Sequence, residues 1–274
     1  MTDTLDSTVL NRSLHGTMFA DKLRIFSSID STNTYAMQQG AEGAPHGSVY
    51  LAEEQTAGRG RGAHGWHSEP QAGLYLSVLI RPRMAATHAL WLSLATGLAV
   101  QRAVADVTGF SADIRWPNDL LLDGRKFGGI LTEMTAEATR VRFAVIGIWI
   151  NVNHRELPAE LRGIATSLRI ESGRICQRTD LAVALLENMD AAIRELMNPE
   201  AFPAATQNIL TRIERQSTWI RGKRVHVDES GGYTGVTAGL DAQGFLLVQT
   251  SNGLRTVLSG GVREIAAQVE DACC

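Results

Sequence analysis

At Ser217 the chain changes period. Before it, apolar residues recur at helical spacing: Leu181, Leu185, Met189, Ile193 and Leu196 share one face of a helix that Thr179 is placed to cap and Pro199 to end. A second helix is expected over 201–215. Beyond it come short β-rich runs at 224–227, 233–240, 245–250, 254–258 and 262–265. They are divided by Gly231-Gly232, Asp241 to Gly244, Asn252-Gly253 and Gly260-Gly261. Five such strands in so short a span predict a small barrel. The reading is therefore a larger unit over 23–216 and a smaller all-β unit over 217–274, whose last residues are a frayed tail. Residues 1–22 are polar and unpatterned, and read as a flexible arm.

The larger unit mixes strands and helices without a regular βαβ period, so it is α+β. Strands are expected at 23–29, 48–52, 74–80, 112–116, 127–134 and 142–152. The last is one long apolar run, as a central strand requires. Asp30-Ser31-Thr32-Asn33 supplies capping side chains for a helix that stops at Gly40. A helix over 88–108, apolar nearly all round, is closed by Gly109. Asp123-Gly124 is a hairpin turn between Leu120-Leu121-Leu122 and the strand from Phe127.

Charge and cysteine content exclude several classes. Among 274 residues, 26 Lys+Arg against 29 Asp+Glu give a net charge of -3, without the basic face that counterion release on DNA demands. Cys176, Cys273 and Cys274 do not make a secreted disulfide framework, and a reduced cytoplasm fits. The N-terminus carries Asp3 and Asp6 and lacks a secretory apolar segment. The most apolar stretch, 89–100, is too short to cross a bilayer.

Four segments are candidates for chemistry, though the last three read equally as a strand-to-turn stop, a hairpin arm with a solvated lysine and a capped strand end. Gly58-Arg59-Gly60-Arg61-Gly62-Ala63-His64-Gly65-Trp66 joins glycines that let backbone approach a ligand to guanidinium groups that suit phosphate or carboxylate, with an aromatic ring for stacking. Taken alone it is equally a basic surface loop, and it has neither P-loop nor dinucleotide spacing. Arg115-Trp116-Pro117-Asn118-Asp119 sets two polar residues at the end of a strand. Lys126-Phe127-Gly128-Gly129-Ile130-Leu131-Thr132-Glu133 starts a strand with a lysine beside bare backbone. In Gly147-Ile148-Trp149-Ile150-Asn151, residues 147, 149 and 151 share a face. The 7 histidines show no metal-ligand spacing; His64 and His67 are close but lie in a loop, and no metal site is expected. There is no Gly-x-Ser-x-Gly elbow.

In this order, Ser31-Thr32-Asn33, Gln55 before Gly58-Arg59-Gly60-Arg61 and Trp66, Trp116-Pro117-Asn118-Asp119, Lys126-x-x-Gly129-Ile130-Leu131, then Gly147 and Asn151, the segments resemble the motif set of biotin protein ligases. The resemblance covers roughly 23–265. It implies a catalytic domain related to class II aminoacyl-tRNA synthetases and lipoyl ligases, followed by an SH3-like barrel. It implies activation of biotin by ATP and Mg²⁺ to biotinyl-adenylate, then transfer to one lysine of the biotin carboxyl carrier domain of a carboxylase. Repulsion between a carboxylate and the α-phosphate is the physical obstacle, and fixed cations remove it.

The resemblance assigns Ser31, Thr32, Asn33 and Gln55 to the ureido ring of biotin. It gives Gly58, Arg59, Gly60 and Arg61 to a loop over the acid, and Gly129 and Gly147 to bare backbone beneath it. Lys126 bridges carboxylate and α-phosphate, Arg61 balances the adenylate phosphate, and Asp119 orients Mg²⁺ or the incoming lysine. Trp66 packs on adenine, with Asn118 and Asn151 at its polar edge. A monomer or weak homodimer without DNA or membrane partners is implied; only 30 residues precede Ser31, too few for a winged helix.

Four positions depart from the family pattern: Arg115 for a lysine, Ala63-His64 for Gly-Arg, and Trp149 for a glycine. The last puts the largest side chain where the family presents backbone, and partial intrusion into the biotin slot is expected. Lipoate or octanoate ligation on the same fold, and a binding-only protein obstructed by Trp149, are the alternatives.

Overall fold

Two of the apolar runs lie side by side at the middle of a sheet, as their lack of a polar face demands. A computed structural model describes residues 3–60, 65–138, 140–229, 231–258 and 261–265. In chain order the elements are α1 (Ser7–Ser13), β1 (Leu23–Phe26), α2 (Thr32–Ala41), β2 (Ser48–Ala52), β3 (Gly73–Ile80), α3 (Ala89–Thr108), β4 (Asp113–Arg115), β5 (Asp119–Leu122), β6 (Arg125–Glu137) and β7 (Arg140–Asn151). Then come α4 (Leu168–Ser172), α5 (Arg178–Met197) and α6 (Phe202–Gln216). The chain continues with β8 (Arg221–Val227), β9 (Tyr233–Leu240), β10 (Leu246–Thr250), β11 (Gly253–Val257) and β12 (Val262–Glu264).

The first seven strands form one sheet in the order β1-β2-β3-β7-β6-β5-β4. Only the β1–β2 pair is parallel among them. All eight residues of β3 are buried, and β3 and β7 pair along their length. The even residues of β7, Ile146 and Ile148 among them, join the large core that includes α3 and α5. Odd residues such as Phe143 and Val145 face α2, where a side chain at Gly40 would collide with the Phe143 ring. The functional residues lie on this α2 side.

The second sheet is antiparallel, in the order β11-β10-β9-β8-β12, and the last strand returns to pair with β8, as in an SH3-like fold. It sits against the first unit: Trp116 Nε1 donates to the Gly244 carbonyl at 2.9 Å, and Gly244 rests on Trp91 and Leu94 of α3.

The expectation of a flexible N-terminal arm is corrected. Asp6 caps α1 by accepting from the Thr8 and Val9 amides, and Leu5, Leu10, Leu14, Met18 and Phe19 are buried in the main core. Ahead of the helix, Asp3 pairs with Arg178, which is 0% exposed and also pairs with Glu53. Leu10, Leu14 and Met18 do recur every fourth residue, but the run is short and set among polar neighbours, and its burial comes from tertiary contact with the core. Thr179 is not the cap of α5; Gln177 holds that position, and the Thr179 hydroxyl accepts the Asp6 amide instead. The expected frayed tail and the loop tip with Arg61 lie outside the described residues.

Candidate active site

Residues assigned to the acid meet at the N-terminus of α2. Ser31 caps that helix, its side chain accepting from the Thr34 amide. Gln55 Oε1 accepts from both the Thr32 amide and hydroxyl, at 2.9 and 3.0 Å. Gln55 Nε2 donates to Ser68 Oγ. From β3, Ser77 donates to Thr32 Oγ1 and Asn33 Oδ1. Asn33 Nδ2 donates to Glu133 Oε2 at 2.5 Å, and Arg59 forms an ion pair with the other oxygen of Glu133 at 3.1 Å. Ser31, Thr32, Asn33 and Gln55 are all buried, as polar groups can be only when bonded in this way.

The glycine-rich loop has a defined base. The Trp66 amide donates to the Gly58 carbonyl, and Arg59 bridges to Gly65. Gly58 must be glycine, since a Cβ there would lie 2.8 Å from the Trp66 carbonyl oxygen. Gly60 and Gly65 line the cavity described below, and Arg61 lies outside the described residues.

Lys126 reaches the site through a β-bulge. Odd residues of β6 face α2, so simple alternation would turn Lys126 to the opposite side. The β5–β6 register slips between Leu120 and Leu121, so that Leu120 opposes Gly128 but Leu121 opposes Lys126. Phe127 is the extra residue and is fully buried in the core. The slip restores Lys126 to the face of Gly129, where a side chain would lie 3.5 Å from the Lys126 stem.

Lys126 Nζ is 2.6 Å from Asp119 Oδ1 and 5.5 Å from the centre of the Trp66 ring. Arg115 holds the other Asp119 oxygen at 2.5 Å. Burial works to raise the Asp119 carboxyl, but Lys126 and then Arg115 outweigh it and hold the group below its usual range. These side chains open into a cavity of about 450 Å³, lined also by Asn118 and, from the second sheet, by Asp228 and Arg263. The cavity is rich in cations and carries an indole wall, a combination suited to a nucleotide phosphate and a base.

Two family models match the chain: the Biotin/lipoate A/B protein ligase family over residues 25–151, and the Biotin protein ligase C terminal domain over residues 221–262. The biotin--[acetyl-CoA-carboxylase] ligase of Mycobacterium tuberculosis is 34% identical over 247 residues, covering 88% of this chain and 87% of the relative. The bifunctional ligase/repressor BirA of Bacillus spizizenii is 35% identical over 236 residues, 85% of this chain and 71% of its own. The chain belongs to the biotin protein ligase family. Among solved structures, the biotin protein ligase from Aquifex aeolicus in complex with biotin and ATP aligns with a TM-score of 0.77 at 28% identity, over 89% of this chain and 100% of that one.

Trp149, expected from the sequence to depart from the family pattern, lies at the centre of the site. The sheet register aligns Asp119, Gly129, Trp149 and Tyr75 in one row and Leu131, Gly147 and Ser77 in the next. The Trp149 indole leans across these rows. Its outer edge lies 3.0 Å from where a Gly147 Cβ would stand, a point itself 2.4 Å from Asn33 Oδ1. Its ring centre is 6.3 Å from that of Trp66. Trp149 is 1% exposed, and its indole occupies the space between Asn33 and Trp66. Its Nε1 has no hydrogen-bond partner among the described residues, nor has that of Trp66.

Asn118 lines the cavity, and its side chain also donates to the Ile130 carbonyl. Asn151 stands apart: it is buried, and its amide donates to the Thr166 carbonyl. Sequence reasoning missed Ser77, Ser68 and the role of Glu133, which together bond the acid-binding set. Ser77 has a signal, as a polar residue inside the apolar run 74–80. It also missed the meeting of His67, Glu69 and His154, whose possible ligand atoms all lie within 4.8 Å of one another.

Proposed function

We propose that this chain activates biotin with ATP to biotinyl-adenylate and transfers the acyl group to one lysine of a biotin carboxyl carrier domain. The observation that carries this reading is Lys126, whose ammonium stands in the cavity wall, 5.5 Å from the centre of the Trp66 ring and beside bare backbone at Gly129. A carboxylate oxygen forms a bond to the α-phosphorus while the bond to the β-phosphate oxygen breaks, and pyrophosphate leaves. Both reactants are anions, so the Lys126 ammonium is most valuable where their charges converge. Asp119 holds that ammonium, and on binding the two anions compete for it. In the second half-reaction the lysine amine attacks the acyl carbon and AMP leaves.

The residues present fit Mg²⁺ accompanying the nucleotide, because Asp119 is kept ionised by its two cations. Mg²⁺ would add charge neutralisation at the phosphates. Arg115 and Arg263 are the further cations that bind the phosphate chain in this reading, and Trp66 stacks on adenine. Arg59 reads as a strut, since its guanidinium binds Glu133.

A second reading follows from Trp149. With the indole in place the slot suits a slimmer acid than biotin, of the lipoate or octanoate kind. One incubation separates the two: the chain, ATP, Mg²⁺ and each labelled acid in turn, with carrier domain. Label on the carrier from biotin supports the first reading. Label from the straight-chain acids alone supports the second, and no pyrophosphate release with any of them refutes both.

A further inference from the structure

Three side chains of metal-ligating type, His67, Glu69 and His154, meet beside the candidate active site. His154, immediately beyond β7, is 0% exposed, and neither ring nitrogen has a hydrogen-bond partner among the described residues. A buried imidazole normally has at least one nitrogen bonded. The ring lies 6.0 Å, centre to centre, from that of His67. His67 and Glu69 belong to the descending arm of the glycine-rich loop, and alternate residues in extended chain point the same way. One ligand atom from each of the three falls within 4.8 Å of the others. Ligands at bond lengths of 2.0–2.1 Å around a tetrahedral ion stand roughly 3.3 Å apart. Small rotations of the two exposed side chains would close that difference.

We propose that His67, Glu69 and His154 bind a zinc-class divalent cation that fastens the descending arm of the loop to the end of β7. Two imidazoles and a carboxylate select borderline transition ions, while Mg²⁺ and Ca²⁺ prefer all-oxygen shells. Glu69 also lines an open cleft of about 460 Å³ with Asn153 and Arg155, so the ion has a path in and solvent can complete its shell. The arm so fastened carries Trp66 at the nucleotide cavity and Ser68 against Gln55. Metal binding thereby fixes one wall of each half of the active site. The cluster stands on its own geometry and does not depend on which acid the enzyme uses.

The test uses the full chain, freed of metal by a chelator and dialysed, titrated with Zn²⁺ against a chromophoric competitor and with Co²⁺ by visible absorption. The expected result is one equivalent of Zn²⁺ bound with a Kd below 1 μM, Co²⁺ bands of a four-coordinate site, and a Zn²⁺-dependent rise in Tm that Mg²⁺ does not give. His67→Ala and Glu69→Gln alter exposed side chains and each should weaken Zn²⁺ at least tenfold. His154→Leu should abolish the Tm response while leaving the metal-free protein no less stable. Zn²⁺ binding weaker than 1 μM, or a loss of less than tenfold in both surface variants, would overturn the proposal, whatever His154→Leu does to folding.

Discussion

Replacing Trp149 by glycine tests whether the indole guards the acid pocket. The parent side chain is 1% exposed and lies between Asn33 and Trp66. A ligand entering that space must displace the ring. A Trp buries about 150–250 Å², so exposing it fully would cost roughly 4–6 kcal/mol at about 25 cal/mol per Å². A displaced ring finds other cover, and the ligand recovers part of this, so the cost carried in biotin affinity is smaller than that ceiling. We expect Trp149→Gly to bind biotin at least tenfold more tightly, about 1.4 kcal/mol. The empty variant should lose stability, since truncating a buried aromatic costs about 3–5 kcal/mol. Biotin should then restore more of its Tm than it adds to the parent's. Isothermal titration of both proteins decides the first expectation and thermal unfolding the second. Equal affinities, or weaker binding by the glycine variant, would refute the reasoning and make Trp149 a packing residue beside an intact pocket.

Lys126→Ala should lower acid-dependent pyrophosphate exchange by about 10²–10³-fold with the fold retained; exchange within tenfold of the parent would remove Lys126 from its role. Glu133→Ala leaves the buried Asn33 amide without its acceptor and frees Arg59, and should weaken acid binding about tenfold by titration. Glu53→Leu leaves the buried Arg178 short of one carboxylate and the Leu5 amide without its acceptor; urea unfolding should report a loss of about 3–5 kcal/mol. Burial, and then the neighbouring His67, push His154 down to about 4 from its ordinary 6.5. The unfolded chain therefore binds the proton more readily, and stability falls as pH drops from 6.5 towards 4. In metal-free His154→Leu the loss between pH 7.5 and 4.5 should be smaller by about 2–3 kcal/mol, measured by urea unfolding at both values.

Much of the architecture was legible because it rests on local signals. Gly109 ends α3 in a left-handed conformation, and Asp123-Gly124 makes the β5–β6 turn at positive φ. β2 runs over the expected five residues, since Ser48–Ala52 is a wholly apolar run after its first residue. What stayed hidden depends on tertiary partners. The N-terminal segment read as polar because its anchoring residues, Asp3 and Leu5, are meaningful only beside Arg178 and Glu53. Alternation along β6 turns Lys126 the wrong way, and only the slip opposite Leu120 and Leu121 corrects it. His67 and His154 are far apart in the chain and meet only because β7 ends against the loop arm. For the candidate site, sequence supplied the residue types and their order; it did not supply Ser77 or Glu133, the partners that bond them together.

The wall of the cationic cavity has two owners. Lys126, Asp119 and Trp66 come from the first sheet and its loop, while Asp228 follows β8 and Arg263 lies in β12, the last strand laid down. During synthesis the acid-binding half is complete long before the nucleotide half. A chain ending near α6 would hold the Ser31 to Gln55 cluster and Lys126 yet lack Asp228 and Arg263 from the cavity wall. In the proposed reading, a nucleotide therefore meets its complete wall only once β12 has paired with β8.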